Sequence, residues 1–267
     1  MDKLSVFIIA LNEKGRIEKA IKSVQKIADE IILVDSGSKD NTVEIAESLG
    51  AKVVYHAWPG YTAQKAYGEK LCKNDWILNI DADEEISPEL QNEISYIFAK
   101  QLENKYFAYK IKVTILHRFD SKPRRFAPYN DVIRLYNRKY CGFDGERTSS
   151  THDSVMFKKD ISAENKIFDL DGRAYHRSGT SIEQLINKAN FYSSEQAKEL
   201  IRIGRVPSKL RICCELFFWF FKAFFVRRYF VFGFDGFVDS VIFAFARFIR
   251  LAKAREKAME IIDNNKD

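Results

Sequence analysis

Apolar and polar positions alternate along the chain in blocks, and each change of period marks an element. Leu4 to Ala10 is a near-continuous apolar run with β-branched residues, which predicts a strand buried on both faces. It stops at Leu11-Asn12-Glu13, after which Ile17, Ala20, Ile21 and Val24 recur at helical spacing within residues 14–27. Glu30 to Val34 is a second apolar strand, so the chain opens as a βαβ unit. The polar turn Asp35-Ser36-Gly37-Ser38-Lys39-Asp40-Asn41-Thr42 then leads into a helix through Leu49, with Asp40 the expected cap. Lys52 to Tyr55 is a short third strand, and Tyr61 to Leu71 a helix that carries Gln64 and Lys65.

The next strand ends differently. Asp75-Trp76-Ile77-Leu78-Asn79-Ile80 is apolar enough to lie inside a sheet, and it runs into Asp81, Asp83, Glu84 and Glu85. On an extended chain Asp81 and Asp83 lean to the same side, and two carboxylates meeting there repel unless a proton or a metal intervenes. Oxygen-only ligands favour Mg²⁺ or Mn²⁺. The competing reading is a solvated acidic turn before a helix, since Ser87-Pro88-Glu89 supplies a Ser cap and a Pro in the first turn. In open α/β sheets the carboxyl ends of the strands are where ligands bind, and Asn12, Asp35 and Asp81 all close strands at that edge.

Downstream, Tyr106–Leu116 and Val132–Tyr136 complete the sheet. His117, Arg118, Lys122, Arg124 and Arg125 lie between them, either as surface charge or as a clamp for substrate phosphates. Asp171–His176 is a last strand, and residues 180–203 form an amphipathic helix ending near Gly204. Between 217 and 248 stand 13 of the 22 Phe, interrupted by Lys222, Arg227, Arg228 and Arg247. The purest apolar run there, Leu216–Phe221, is far shorter than the ~20 residues that span a bilayer. Aromatic faces edged with Arg and Lys suit helices lying in an anionic membrane interface, or a hairpin packed on the α/β domain or a second subunit. Gly233-Phe234-Asp235-Gly236 is the expected turn.

Composition adds limits. The 267 residues are 46% hydrophobic and 30% charged, ordinary for a globular α/β chain. The net charge of +6 is local: residues 202–257 hold 12 Lys/Arg against 4 Asp/Glu, so an anionic surface and not nucleic acid is the partner expected there. Cys72, Cys141, Cys213 and Cys214 have no metal-ligand spacing and suit reduced thiols of a cytoplasmic protein. The N-terminus offers no secretory signal, and neither a G-x-G-x-x-G nor a P-loop occurs, which disfavours a dehydrogenase or an NTPase.

Ala-Leu-Asn-Glu at 10–13, Val-Asp-Ser-Gly-Ser-Lys-Asp-Asn-Thr at 34–42 and Asp-Ala-Asp-Glu at 81–84, in that order and spacing, resemble the nucleotide-sugar half of glycosyltransferase family 2. The resemblance implies a GT-A fold over residues 1–178, with a helical, aromatic-rich extension over 179–267. It implies a nucleotide-sugar site of Leu11, Asn12, Glu13, Asp35, Lys65, Asp81 and Ala82, with Asp35 at uracil and Asp81 by the ribose. A Mg²⁺ or Mn²⁺ would be held by Asp83, with His176 completing its coordination or touching the phosphates. Thr151-His152-Asp153 stands where the lipopolysaccharide-core glucosyltransferase branch has Val-His-Glu. Asp153 is therefore the expected general base, one methylene shorter than Glu, and His152 either orients the acceptor or packs as a core histidine. Asn190-Phe191-Tyr192-Ser193 and Gly233–Gly236 resemble runs of the same branch.

The expected activity is inverting transfer of a hexose, glucose first, from a UDP-sugar to a lipopolysaccharide or lipooligosaccharide core, at the cytoplasmic face of the inner membrane. The absence of Gln-x-x-Arg-Trp favours single-residue transfer. The rivals are a family 2 transferase for a polyprenol-linked or capsule acceptor, a nucleotidyltransferase, and a non-catalytic nucleotide-sugar binding module.

Overall fold

Strands β1 (Leu4–Ala10), β2 (Glu30–Asp35), β3 (Lys52–Tyr55) and β4 (Trp76–Asp81) form the parallel half of an eight-stranded sheet. The other half contains β5 (Glu84–Ile86), β6 (Ala108–Ile115), β7 (Tyr129–Asn137) and β10 (Ile167–His176). Their spatial order is β3-β2-β1-β4-β7-β6-β10-β5, with β7 antiparallel to β4 and β6, and β5 antiparallel to β10. β8 (Cys141–Gly142) and β9 (Met156–Phe157) pair separately. The structure is a computed structural model and describes residues 3–101, 105–144, 154–164, 166–177, 179 and 181–264.

The double-sided burial expected of β1 holds. Leu4, Val6, Ile8 and Ala10 enter one core cluster, and Phe7 and Ile9 the other. Helices α1 (Ile17–Val24) and α4 (Pro88–Ala99) cover the first face with Ile17, Ile21, Val24, Leu90, Ile94 and Phe98. Trp76 of β4 meets Phe98 edge-on at 5.9 Å. Helix α3 (Tyr61–Leu71) covers the other face at close range. A Cβ on Gly68 would stand 2.6 Å from the Phe7 ring, so only glycine lets that helix sit so near. The start of α4 is as the sequence predicts: Ser87 Oγ accepts from Leu90 N at 3.2 Å, with Pro88 in the first turn. Helix α2 (Thr42–Ser48) begins one residue later than expected, with Asn41 at the cap position. Asp40 still serves the first turn by accepting from Thr42 N at 3.1 Å.

Two compact units divide the chain. The first comprises Met1–Thr114 and Tyr129–His176, and the second Ile115–Pro128 and Arg177–Asp267. The second unit is built on α5 (Ile182–Arg202), α6 (Lys209–Phe221) and α7 (Phe234–Asn264). Helix α5 ends in a Schellman turn: Gly204 at φ +69° donates to Ile201 O, and Arg205 N donates to Leu200 O. Lys253 Nζ of α7 donates to Asn190 Oδ1 at 2.7 Å and to Ser193 and Ser194 of α5. Glu215 of α6 accepts from Arg250 of α7 and from Trp219 Nε1, both at 2.9 Å.

Two expectations change here. The hairpin turn does not lie at Gly233–Gly236, because α7 already begins at Phe234. The reversal is made earlier, by a π-helical Lys222–Val226, a left-handed Arg228 (φ +61°) and a 3₁₀ turn at Tyr229–Phe232. Gly236 serves close packing instead, since a Cβ there would fall 1.9 Å from Tyr229 O. Within the basic stretch 117–125, Lys122 and Arg125 are exposed surface charges, whereas Arg118 and Arg124 are spent on internal partners. Arg118 pairs with Asp239 at 2.7 Å, and Arg124 donates to Asp120 and to Val231 O. Arg177 donates to the carbonyls of His117, Arg118 and Asp120.

Candidate active site

The site begins at the carboxyl ends of the parallel strands. Register places Ala10 opposite Asp35 and Ile9 opposite Asp81, so the two carboxylates flank the end of β1. The connection after β1 is tied to the one after β2. Asn12, in the left-handed region at φ +57°, donates from its backbone N to Ser38 Oγ and accepts from Lys39 N at its Oδ1, both at 2.8 Å. Glu13 N donates to Thr42 Oγ1 at 2.7 Å. Asp35 is buried and spends its oxygens on its own loop: Oδ2 accepts from Gly37 N and Ser38 N, each at 2.8 Å, and Oδ1 from Ser38 Oγ at 2.5 Å. Leu11 is half exposed beside it.

The acidic stretch after β4 is organised quite differently. The chain turns at Ala82-Asp83 and continues as β5, so Asp81 and Asp83 face different partners. Lys65 Nζ of α3, fully buried, lies 2.8 Å from Asp81 Oδ1. Arg134 of β7 reaches Asp81 Oδ2 at 2.7 Å, Glu84 Oε1 at 2.5 Å and Asn79 Oδ1 at 3.0 Å. Glu84 also accepts from Asp81 N at 3.1 Å. Asp83 lies 3.3 Å from His176 Nε2 and 3.5 Å from Arg16, which in turn holds Glu13. Strand pairing brings the histidine there, because His176 stands opposite Glu84 in the β5–β10 register. Ala82 is buried in the core between these two sets.

The repulsion expected between Asp81 and Asp83 is therefore relieved by the protein's own cations, a solution the strand pattern did not suggest. Burial alone would raise the Asp81 carboxyl, but the adjoining Arg134 and Lys65 charges outweigh it and hold it well below the usual carboxylate range. Burial raises Glu84, and Arg134 only partly offsets this. Asp83 is lowered despite burial because His176 attracts its negative charge more than the neighbouring Asp81 repels it, with Arg16 adding a smaller pull. Reciprocally, Asp83 overcomes burial to raise His176.

Sequence reasoning marked Lys65 and His176 but passed over Arg134, Arg16 and the anchoring role of Glu84. Arg134 had one visible signal, a charge in the middle of the apolar strand Val132–Tyr136. Beside it opens a cavity of about 310 Å³ lined by Lys110, Asp131, Arg134, Phe143 and Ser154, among others. His152 and Asp153 lie outside the described residues.

Among the described residues no group of three or more His, Cys, Asp or Glu is arranged to hold a metal. Asp83 Oδ2 and His176 Nε2 face each other directly at 3.3 Å, a carboxylate and an imidazole of the kinds that divalent ions accept as ligands.

A mixed sheet with a parallel nucleotide-type half, and acidic residues at its carboxyl edge, defines an α/β transferase of the GT-A architecture. The chain belongs to glycosyl transferase family 2, whose pattern matches residues 5–162, and it is a glycosyltransferase. An uncharacterized glycosyltransferase of Rickettsia bellii is 64% identical over 97% of this chain and 88% of its own length. The lipopolysaccharide core biosynthesis glycosyltransferase LpsC of Rhizobium meliloti is 25% identical over 95% of this chain and 92% of its own. Among solved structures, a complex of glucosyl-3-phosphoglycerate synthase from Mycobacterium tuberculosis with phosphoglyceric acid aligns at TM-score 0.46 and 18% identity. It covers 78% of this chain and 82% of that one.

Proposed function

We propose that this glycosyltransferase is an inverting, metal-dependent enzyme that moves a hexose, glucose first among candidates, from a UDP-sugar to a lipopolysaccharide or lipooligosaccharide core sugar. The observation that carries the reading is the Asp83–His176 pair, 3.3 Å apart at the carboxyl end of the sheet. Similarity to LpsC over nearly the whole chain supports the core acceptor. Asn12, Glu13, Asp35, Lys65 and Asp81, with Leu11 and Ala82, would form the nucleotide-sugar site. Asp83 and His176 would hold Mg²⁺ or Mn²⁺, which when bound neutralises charge on a diphosphate leaving group.

The remaining chemistry falls to the chain's own groups. Asp153 would take the proton of the acceptor hydroxyl as that oxygen attacks the anomeric carbon, while His152 orients the acceptor. The bond to UDP breaks on the opposite face, which inverts the configuration. Lys65 and Arg134 keep Asp81 ionised and fixed beside this centre, an electrostatic frame that needs no rearrangement during reaction.

The test is a donor screen with Mn²⁺ and a core oligosaccharide, reading UDP release from UDP-glucose, UDP-galactose and UDP-N-acetylhexosamines. UDP-glucose should be consumed fastest and only with acceptor present. Asp153→Asn should lose at least 100-fold in transfer while UDP binding is retained. Turnover of none of the donors, or full activity of Asp153→Asn, would sink the reading.

A further inference from the structure

The second unit exposes what a globular chain normally hides. Phe218, Phe221, Phe225, Val226, Phe234 and Phe237 are each 44–79% exposed. They form one surface, not scattered spots. Phe221 stacks on Phe225 at 5.6 Å, and Phe225 meets Phe224 at 5.1 Å. Phe224 reaches Phe237 at 6.2 Å, and Phe237 stacks on Phe234 at 6.2 Å. The patch runs from the end of α6, through the π-helical turn, into the first turn of α7.

Its charge is mainly basic. From Leu216 to Phe237 the chain carries Lys222, Arg227 and Arg228 against Asp235 alone. The cations are set against rings: Lys222 Nζ lies 4.5 Å from the Trp219 ring centre, and Arg227 lies 4.8 Å from that of Phe243. We propose that this tip is a membrane-docking surface, its aromatic side chains entering the interface of an anionic bilayer while Lys222, Arg227 and Arg228 meet lipid phosphates.

Two observations favour a lipid surface over other occupants. In a two-fold dimer the same patch would face itself, setting Lys222, Arg227 and Arg228 against their own copies, with Asp235, already 3.9 Å from Arg118, the one carboxylate of the patch. A bilayer-crossing role is not available to it, since among the described residues no helix is long and apolar enough to span a membrane. Exposed aromatics beside Lys and Arg, on short helical segments, are what binding in the plane of an anionic interface requires.

The experiment uses the full chain without donor or acceptor, so its outcome is independent of the sugar chemistry. Co-sedimentation is measured with phosphatidylcholine vesicles, with and without 30% phosphatidylglycerol. The wild type should bind the anionic vesicles at least 10-fold more tightly and release in high salt. The triple variant Phe225→Ser, Val226→Ser, Phe234→Ser should lose at least 10-fold in binding with an unchanged circular-dichroism melt. Lys222→Gln with Arg228→Gln should flatten the salt dependence. Equal binding by wild type and triple variant, or no preference for anionic lipid, would overturn the proposal. So would a wild-type dimer in solution that the triple variant dissolves, because a second copy would then cover the patch.

Discussion

Two acidic strand ends lie side by side in this sheet, and they are built in opposite ways. Asp35, at the end of β2, satisfies itself within three residues, accepting from Gly37 N, Ser38 N and Ser38 Oγ. Asp81, Asp83 and Glu84, after β4, depend on Lys65, Arg134, Arg16 and His176, which arrive from α3, β7, the start of α1 and β10. The first arrangement shapes a loop. The second is a balance of charges assembled by the whole fold, and it gives way if any contributor leaves. An anionic substrate and a cation can join such a balance, whereas a carboxylate spent on its own backbone has few acceptors left to offer.

Breaking the long-range balance should have the largest effect. Arg134→Met leaves Glu84 and Asp81 short of their shared cation in a buried place, at a cost of about 3–5 kcal/mol, read as a large fall in the urea midpoint. A variant as stable as wild type would show that Lys65 alone balances both carboxylates. Breaking the local arrangement should cost less. Asp35→Ala removes three accepted hydrogen bonds from one loop, for a loss of about 1.5–3 kcal/mol, and Asp35→Asn should recover part of it. If Asp35→Ala instead destabilises as much as Arg134→Met, the distinction between local and long-range ends fails.

The smallest effect lies in the second unit, at His117. Burial, then Arg118, lowers its pKa against the opposing pull of Asp239, Asp235 and Asp120. The folded chain thus holds that proton less readily than the unfolded chain, so this contribution to stability is complete above the unfolded value of about 6.5 and is lost as pH falls below it. His117→Gln should flatten the decline in thermal midpoint between pH 7 and pH 5. An unchanged decline would assign it to other groups.

Most of the framework was legible along the chain. β1, β3 and α4 announce themselves by apolar runs, by helical spacing and by Ser87-Pro88, because these signals are local. β5 was not legible: Glu84-Glu85-Ile86 looks like a turn, and becomes a strand because β10 pairs with it and Arg134, fifty positions later in sequence, takes the buried charge of Glu84. The turn between α6 and α7 was misplaced for a similar reason. No residue from 222 to 232 is a helix breaker, and Gly236, which looks like turn chemistry, is required by the approach of Tyr229 O. Of the residues expected at the site, Asp81 and Asp83 are close together in sequence and His176 meets Asp83 through strand pairing, but the cations that surround them come from elements whose adjacency only the fold creates.

In the proposed function a divalent ion would join the substrate at Asp83 with His176, and not at Asp35. Mn²⁺ binding in the presence of UDP, followed by the electron paramagnetic resonance signal of free Mn²⁺, tests it without reliance on turnover. Asp83→Asn should weaken binding at least 10-fold, His176→Gln by a smaller factor, and Asp35→Asn within about 2-fold of wild type. Wild-type Mn²⁺ affinity in Asp83→Asn would contradict the account.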